Sequence, residues 1–311
     1  MTENQAPTLG ATALSELPRR KRVSIARVIS GGVVLAVLGF FCYSVASANF
    51  NWSAVGHYFG QHEITTGVER TVLLTVLAMA LGLLLGTLGG VCRLSTNRVL
   101  SGTAWLYVWF FRGTPVLVQL LLWFNLALIF PSISIPGVFH EQTINIISPL
   151  MAALLGLGVN EGAYLSEIIR GGILAVDPGQ REAAMALGAA PTHMYRRIIL
   201  PQALRIILPT LGNETIGMLK FTSLASIVSY SELLESSEQI YQVTTQVMEL
   251  LIVASAWYLI MTSILTIGQY YLERYYGRSS QGGRPRALVE QWILRAVTHT
   301  MNSRKERSVR V

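Results

Sequence analysis

The sequence predicts an all-α integral membrane protein, and three observations carry that prediction. Hydrophobic residues fill 51% of the 311 positions and charged residues only 13%, where a soluble domain carries about 25%. Apolar stretches long enough to form spanning helices recur along the chain, and the basic residues cluster in alternate connections between them. Mean hydropathy is +0.46. High hydrophobicity with low charge excludes a disordered chain. The two cysteines, Cys42 and Cys92, lie in apolar runs and exclude a disulfide scaffold.

A membrane-crossing helix needs about 20 mostly apolar residues. Six stretches qualify: 28–48, 68–92, 103–130, 148–175, 212–231 and 251–273. The third is interrupted by Gly113 and Pro115, and the fifth is the most polar. Of the 24 Lys and Arg, 20 fall in residues 1–27, 93–101, 176–211 and 274–311. The connections 49–67, 131–147 and 232–250 hold none, and carry Glu63, Glu141, Glu232, Glu235, Glu238 and Glu249 instead. Basic connections stay on the cytoplasmic side, so the expected topology is six spans with both termini cytoplasmic. The net charge of +7 reflects this sidedness, and no nucleic-acid partner is expected. Ala46-Ser47-Ala48 leaves open a cleaved signal segment. The 27-residue polar start and the apolar stretch of about 20 favour a retained helix at 28–48. In the second span Gly82, Gly86 and Gly90 recur every fourth residue and offer a face for close helix approach.

Several chemistries are excluded. None of the three lysines (Lys21, Lys220, Lys305) completes a phosphate-cradling Gly-rich loop. The five histidines are scattered, Asp177 is the sole aspartate, and no metal-ligand spacing occurs. The chain is therefore expected to be no enzyme, to bind no metal or other cofactor, and to take any ATP drive from another subunit.

The stretch 177–211 is the most informative. Asp177 suits a helix N-cap, Pro178 the first helical position, and Gln180 completes a capping-box-like spacing. A short helix is expected from Pro178 to Leu187, stopped at Gly188. A second is expected from Pro191, ending before Pro201. Glu182-Ala183-Ala184, three residues, Gly188, nine residues, Ile198, one residue and Leu200-Pro201 resemble at every position the EAA loop of ATP-binding-cassette importer permeases. The resemblance implies that 177–201 forms a coupling helix docking into a groove of a cytoplasmic ATPase subunit.

Phe110-Phe111-Arg112-Gly113-Thr114-Pro115, Val118-Gln119-Leu120 and the run from Glu167 to Ile173 look like the polar amino-acid branch of that family. So do Pro201-Gln202-Ala203, Asn213-Glu214, and Lys220 with Thr222-Ser223-Leu224. Members of this branch move histidine, glutamate, glutamine, arginine and opine-type solutes. The similarity covers about residues 65–275. It implies a five-helix permease core, here with one extra N-terminal helix at 28–48. It implies pairing with a second permease, identical or paralogous, two ATPase subunits that bind ATP-Mg, and an extracytoplasmic solute-binding protein. Phe221 departs from the family, whose members commonly carry Asp there, and that leaves the individual solute open. The implied location is the bacterial plasma (inner) membrane, multi-pass.

Ionisable groups inside a span need a partner or a watery lining. Arg112 stands beside Gly113 and Pro115, and either contacts a solute carboxylate or pairs with Glu161 or Glu167. Glu161, beside Asn160, lies roughly 20 Å into its span and either faces a cavity or pairs with Arg112. Glu167 and Arg170 share a helix face and are expected to pair. Lys220 either snorkels to the interface or serves a gate. Thr222, Ser223 and Ser226 either line a path or bond backbone carbonyls one turn back. In the basic cytoplasmic tail 276–311, Leu288, Trp292, Leu294 and Arg295 suggest a short helix on membrane lipid.

The expected function is a permease subunit of an ATP-driven importer of polar amino acids, working by alternating access. The alternative is a stand-alone ion-coupled transporter or channel with Arg112, Glu161 and Lys220 along its path. Such a protein has no use for a coupling loop.

Overall fold

The computed structural model describes residues 25–47, 51–135 and 139–276. The basic segment before Ile25 and the tail after Tyr276, with its expected short helix, lie outside the described residues. The N-terminal unit is represented by α1 (Ile25–Ala46), a helix of 22 residues. The chain from Trp52 onward forms a second unit.

That unit is helical apart from one hairpin. A short α2 (Trp52–Phe59) precedes α3 (His62–Arg93), whose 32 residues match the expected second span with an added turn at its start. Next, α4 (Arg98–Gly113) begins where the Asn97 side chain accepts from the Val99 N–H at 2.9 Å. It stops at Thr114-Pro115, because Pro115 drives the residue before it into extended backbone. The chain resumes as α5 (Val116–Phe124), bent by 101° from α4, so the expected interruption is a sharp turn rather than a kink. After α6 (Leu126–Ile129), an antiparallel hairpin pairs β1 (Ser132–Ile135) with β2 (Phe139–Gln142), Ser132 opposite Gln142. A turn of helix, α7 (Thr143–Ile146), leads into α8 (Pro149–Leu174), capped by Ser148 with Pro149 in its first turn.

The remaining elements are α9 (Pro178–Ala186), α10 (Pro191–Met194), a π turn (Tyr195–Ile199), α11 (Leu200–Phe221), a 3-10 stretch (Thr222–Val228), α12 (Leu233–Thr244) and α13 (Val247–Tyr276). Two expectations need correction here. The helix begun at Pro191 does not end before Pro201: it passes through the π turn directly into α11. The π turn shifts the hydrogen-bond ladder by one residue and accommodates a proline that lacks an N–H. The fifth expected span, 212–231, therefore begins earlier, at Leu200, and its helix ends at Phe221. The acidic connection 232–250 is not an open loop either, since it contains α12.

Glu232 explains α12. Its carboxylate accepts the Glu235 N–H at 2.9 Å as the N-cap. It also accepts the Tyr258 hydroxyl at 2.7 Å and the Thr71 hydroxyl at 3.3 Å. A fully buried carboxylate thus ties α12 to α3 and α13. Burial without such donors would cost several kcal/mol.

The centre of the fold is the α3–α8 crossing, built on small residues. A Cβ placed on Gly82 would lie 2.9 Å from Glu161 Cγ, and one on Gly86 would lie 2.5 Å from Leu165 Cβ. One on Gly90 would lie 3.0 Å from the Ser166 carbonyl. Gly158 and Gly162 on α8 return the fit, holding Leu81 and Leu85 of α3. Two backbones approach this closely only where side chains are missing, and such packing replaces the hydrophobic drive that lipid does not supply. Gly86→Leu is expected to prevent stable assembly, overpacking costing about 1–3 kcal/mol or more. A lower yield of monodisperse protein in mild detergent, against an unchanged Gly102→Leu control in open space, measures it.

Leucines and isoleucines such as Leu84, Leu88, Leu259 and Ile264 are exposed on the outer faces of α3 and α13, an apolar exterior suited to hydrocarbon. By length and composition α3 and α13 each suffice to cross a membrane, and the bent α4–α5 pair would make a third crossing. Meanwhile α8 carries Glu161, Glu167 and Arg170, and α11 carries Arg205, Glu214 and Lys220, which lower their hydropathy.

Candidate functional site

Two regions stand out, one at each end of α11. At its start lies the 177–201 loop. Asp177 Oδ1 accepts the Gly179 N–H at 2.7 Å and starts α9. The helix ends in a Schellman closure: the Ala189 N–H donates to the Ala184 carbonyl and the Gly188 N–H to the Met185 carbonyl, both at 3.0 Å. Gly188 takes φ +72°, a left-handed conformation that a side chain disfavours. This geometry divides the motif residues. Ala184 is buried with Ile169, Ile173, Val176, Met194 and Ile199, and Ile198 packs against that cluster. Glu182, Ala183 and Gly188 face outward, as do Leu200 and Pro201. Leu187, at 87% exposure, is an apolar knob beside Gly188 that the motif alone does not single out. Its visible signal is an apolar residue at the stop of a helix in a basic connection.

Toward the far end of α11 lies a cavity of about 380 Å³. The α4–α5 break contributes Arg112, Thr114 and Pro115, α8 contributes Asn160, Glu161 and Tyr164, and α11 contributes Glu214, Met218 and Phe221. The break is where the cavity comes from. Turning the chain at Pro115 leaves carbonyls without helical donors, and two amides supply them. Gln119 Nε2 donates to the Phe111 carbonyl at 3.0 Å and to Thr114 Oγ1 at 2.7 Å. Asn160 Nδ2 donates to the Phe111 carbonyl at 2.8 Å and to Gln119 Oε1 at 3.2 Å. Asn160 therefore both lines the cavity and staples α8 to the break. Tyr107 adds a second staple, its hydroxyl donating to the Val159 carbonyl at 2.7 Å.

The charged groups now have places. Arg112 pairs with neither Glu161 nor Glu167; its guanidinium carbon sits 5.0 Å from the centre of the Tyr164 ring, a cation–π contact. Glu161 is 5% exposed, and its Oε1 is buried without a hydrogen-bond partner. Glu214 joins it from α11 on the cavity wall. Glu167 and Arg170 do pair, at 2.7 Å, and Arg93 of α3 donates to the same carboxylate at 3.2 Å. That makes the cluster a lock between α3 and α8.

Three expected pathway residues fall outside the cavity lining. Lys220 is exposed on the outer face of α11. Thr222 and Ser223 spend their hydroxyls locally, each donating at 2.7 Å to a carbonyl three residues back, Leu219 and Lys220 respectively. The tight 3-10 stretch that starts at Thr222 brings those carbonyls into reach. Gln119, Tyr107 and Glu214 were missed as site residues. Gln119 and Glu214 stand in the runs that resemble the family, but nothing there ties them to a cavity, and Tyr107 is signalled only as a polar-tipped residue in an apolar run. Among the described residues no cluster of His, Cys, Asp or Glu side chains is placed to hold a metal ion.

An apolar-surfaced helical fold, a cavity at a broken helix that gathers Arg112, Glu161 and Glu214, and a capped loop helix packed at the start of α11 fit a membrane permease by class. A family model described as the binding-protein-dependent transport system inner membrane component matches residues 78–278, and the chain belongs to that family. It is 39% identical over 279 residues to the arginine transport system permease protein ArgU of Corynebacterium glutamicum, covering 89% of this chain and 88% of that one. The nopaline transport system permease protein NocM of Agrobacterium fabrum is 35% identical, covering 72% and 94%. The glutamine transport system permease protein GlnP of Escherichia coli is 33% identical, covering 72% and 97%. Among solved structures, an amino acid ABC transporter with histidines superposes with a TM-score of 0.61 at 36% identity, over 68% of this chain and 94% of that one. The inward-facing MetNI methionine transporter, at 18% identity and a TM-score of 0.57, shares the fold. The chain is thus a permease subunit of the inner membrane and not an enzyme, since ATP hydrolysis belongs to a separate subunit of such systems. A stand-alone ion-coupled transporter is set aside by the same membership.

Proposed function

We propose that this chain forms the solute pathway of an ATP-driven importer of polar amino acids, with preference for those carrying a cationic side chain. One observation supports this most: two carboxylates, Glu161 and Glu214, share the cavity wall, and Glu161 Oε1 is buried with no hydrogen-bond partner among the described residues. A carboxylate buried in its ionised form needs a counter-charge, and a solute ammonium or guanidinium meets that need. Arg112, whose guanidinium lies over the Tyr164 ring at the cavity wall, is placed for the solute carboxylate. The names of the relatives, arginine, nopaline and glutamine permeases, support polar amino acids as the solute class, and the arginine permease supports the cationic preference within it.

In this reading six spans cross the membrane with both termini cytoplasmic. Residues 28–48 add a helix before the permease core at 65–275. A second permease, identical or paralogous, completes the pathway. An extracytoplasmic binding protein delivers solute, and two ATPase subunits bind ATP-Mg. Glu182, Ala183, Gly188 and the exposed Leu187 dock on the ATPase. Closure of the ATPase dimer draws the two loops together and opens the pathway outward, and hydrolysis reverses it.

Uptake by proteoliposomes holding the permease, ATPase and binding protein tests the proposal. Uptake is expected to require ATP, to persist after ion gradients are collapsed, and to be competed by arginine more strongly than by glutamate. Uptake that follows the ion gradient, or glutamate competing as well as arginine, would overturn it.

A further inference from the structure

The two sites are joined by one continuous piece of backbone. The π turn runs into α11 without a break, so the segment from Tyr195 to Phe221 is one continuous helical rod. Near its start, Ile199, Ala203 and Ile207 are buried in the cluster that holds Ala184 of the loop helix. Further along, Glu214, Met218 and Phe221 line the cavity. Between them stands Pro209, inside the helix. A proline there removes one ladder hydrogen bond and disposes a helix to bend at that point.

A polar group from another helix meets the rod at this position. Gln269 of α13, only 8% exposed, donates from Nε2 to the Pro209 carbonyl at 2.7 Å. The same nitrogen donates to Glu273 Oε1 at 2.8 Å, which fixes the amide's orientation. One turn on, Gly212 leaves the space that the Gln269 carbonyl oxygen occupies, and a Cβ there would collide with it. Further along the same contact, Leu219 of α11 packs among Leu250, Val253 and Met261 of α13. In a low-dielectric surrounding a hydrogen bond is stronger than in water, and a directed one favours a single register where apolar contacts permit sliding.

We propose that Gln269 is a positioning residue that holds α11 at Pro209 as a fulcrum, so that displacement of the 177–201 loop is converted into movement of Glu214 and Phe221 at the cavity. The proposal rests on the importer reading. Without the clamp, the loop still docks and the ATPase still turns over, but the cavity end of the rod no longer follows.

The test is the ratio of solute imported to ATP hydrolysed, in proteoliposomes holding permease, ATPase and binding protein. Gln269→Met keeps the length and volume of the side chain and removes the donor. Binding-protein-stimulated hydrolysis is expected to stay within about twofold of wild type while uptake per ATP falls about fivefold, the order of one lost neutral hydrogen bond. Gly212→Ala, which crowds the amide and leaves Gln269 itself in place, is expected to lower the same ratio. An unchanged ratio in both variants would overturn the fulcrum, and so would parallel loss of uptake and hydrolysis, which marks a purely structural role. Wild-type uptake is the control for the importer reading, so failure of that reading shows there and not in the variants' ratio.

Discussion

A Glu182→Lys variant is expected to insert and fold as wild type yet lose solute uptake by about 30- to 1,000-fold, the cost of roughly 2–4 kcal/mol for reversing a charge in a docking interface. Glu182 lies on the outward side of α9, so its side chain contributes little to the fold. Substitution at such a surface position usually changes stability by less than about 0.5 kcal/mol. The helix keeps its Asp177 cap and its Schellman closure at Gly188, because both are made by other residues. What changes is the sign of the charge presented beside Ala183 and Leu187. Uptake measured at equal membrane abundance, with copurification of the ATPase, checks the prediction. Wild-type uptake by this variant would remove Glu182 from the coupling surface.

The second large effect is expected at Glu161. Glu161→Gln keeps the shape that Gly82 accommodates and removes the charge. Uptake of a cationic amino acid should fall about 10- to 100-fold, in line with roughly 1.5–3 kcal/mol for a hydrogen bond to a charged group. A neutral amino acid should be affected less. Competition uptake with labelled arginine and glutamine separates the two. Equal loss for both solutes, together with poorer recovery of folded protein, would assign Glu161 to packing; unchanged arginine uptake would remove it from the solute path.

How much of this was legible beforehand follows the range of the interactions. Local signals were readable. Asp177 and Pro178 announced α9, Gly188 announced its stop, and Gly113 with Pro115 announced the interruption of the third span. The pairing of Glu167 with Arg170 was readable too, as it needs only the spacing along one helix. Long-range partners were not. Nothing in sequence tells Glu167 that Arg93 also reaches it, or Arg112 that a tyrosine ring rather than a carboxylate lies beside it. The helix within 232–250 was hidden for a related reason. Its cap, Glu232, is a buried carboxylate held by Thr71 and Tyr258, and read locally it is one more charge in an acidic connection.

By itself, then, the sequence determined that the protein lives in a membrane, that its fold is helical and that residues 177–201 form a capped loop helix resembling a coupling loop. Composition, apolar run length and cap chemistry are properties of neighbouring residues, and they act the same way wherever the segment lies. Tertiary structure alone decided which polar residues share a cavity. Asn160, Glu161 and Glu214 converge because α3 and α8 meet glycine to side chain, and because the turn at Pro115 opens space that two amides hold in shape. Lys220 neighbours Phe221 in sequence yet lies outside the lining, because adjacent residues of α11 point in different directions, and Thr222 and Ser223 fall in the 3-10 stretch that follows, their hydroxyls turned back to carbonyls of α11. The direction a side chain faces is set by how helices cross, and in a membrane that crossing is governed by packing between distant segments.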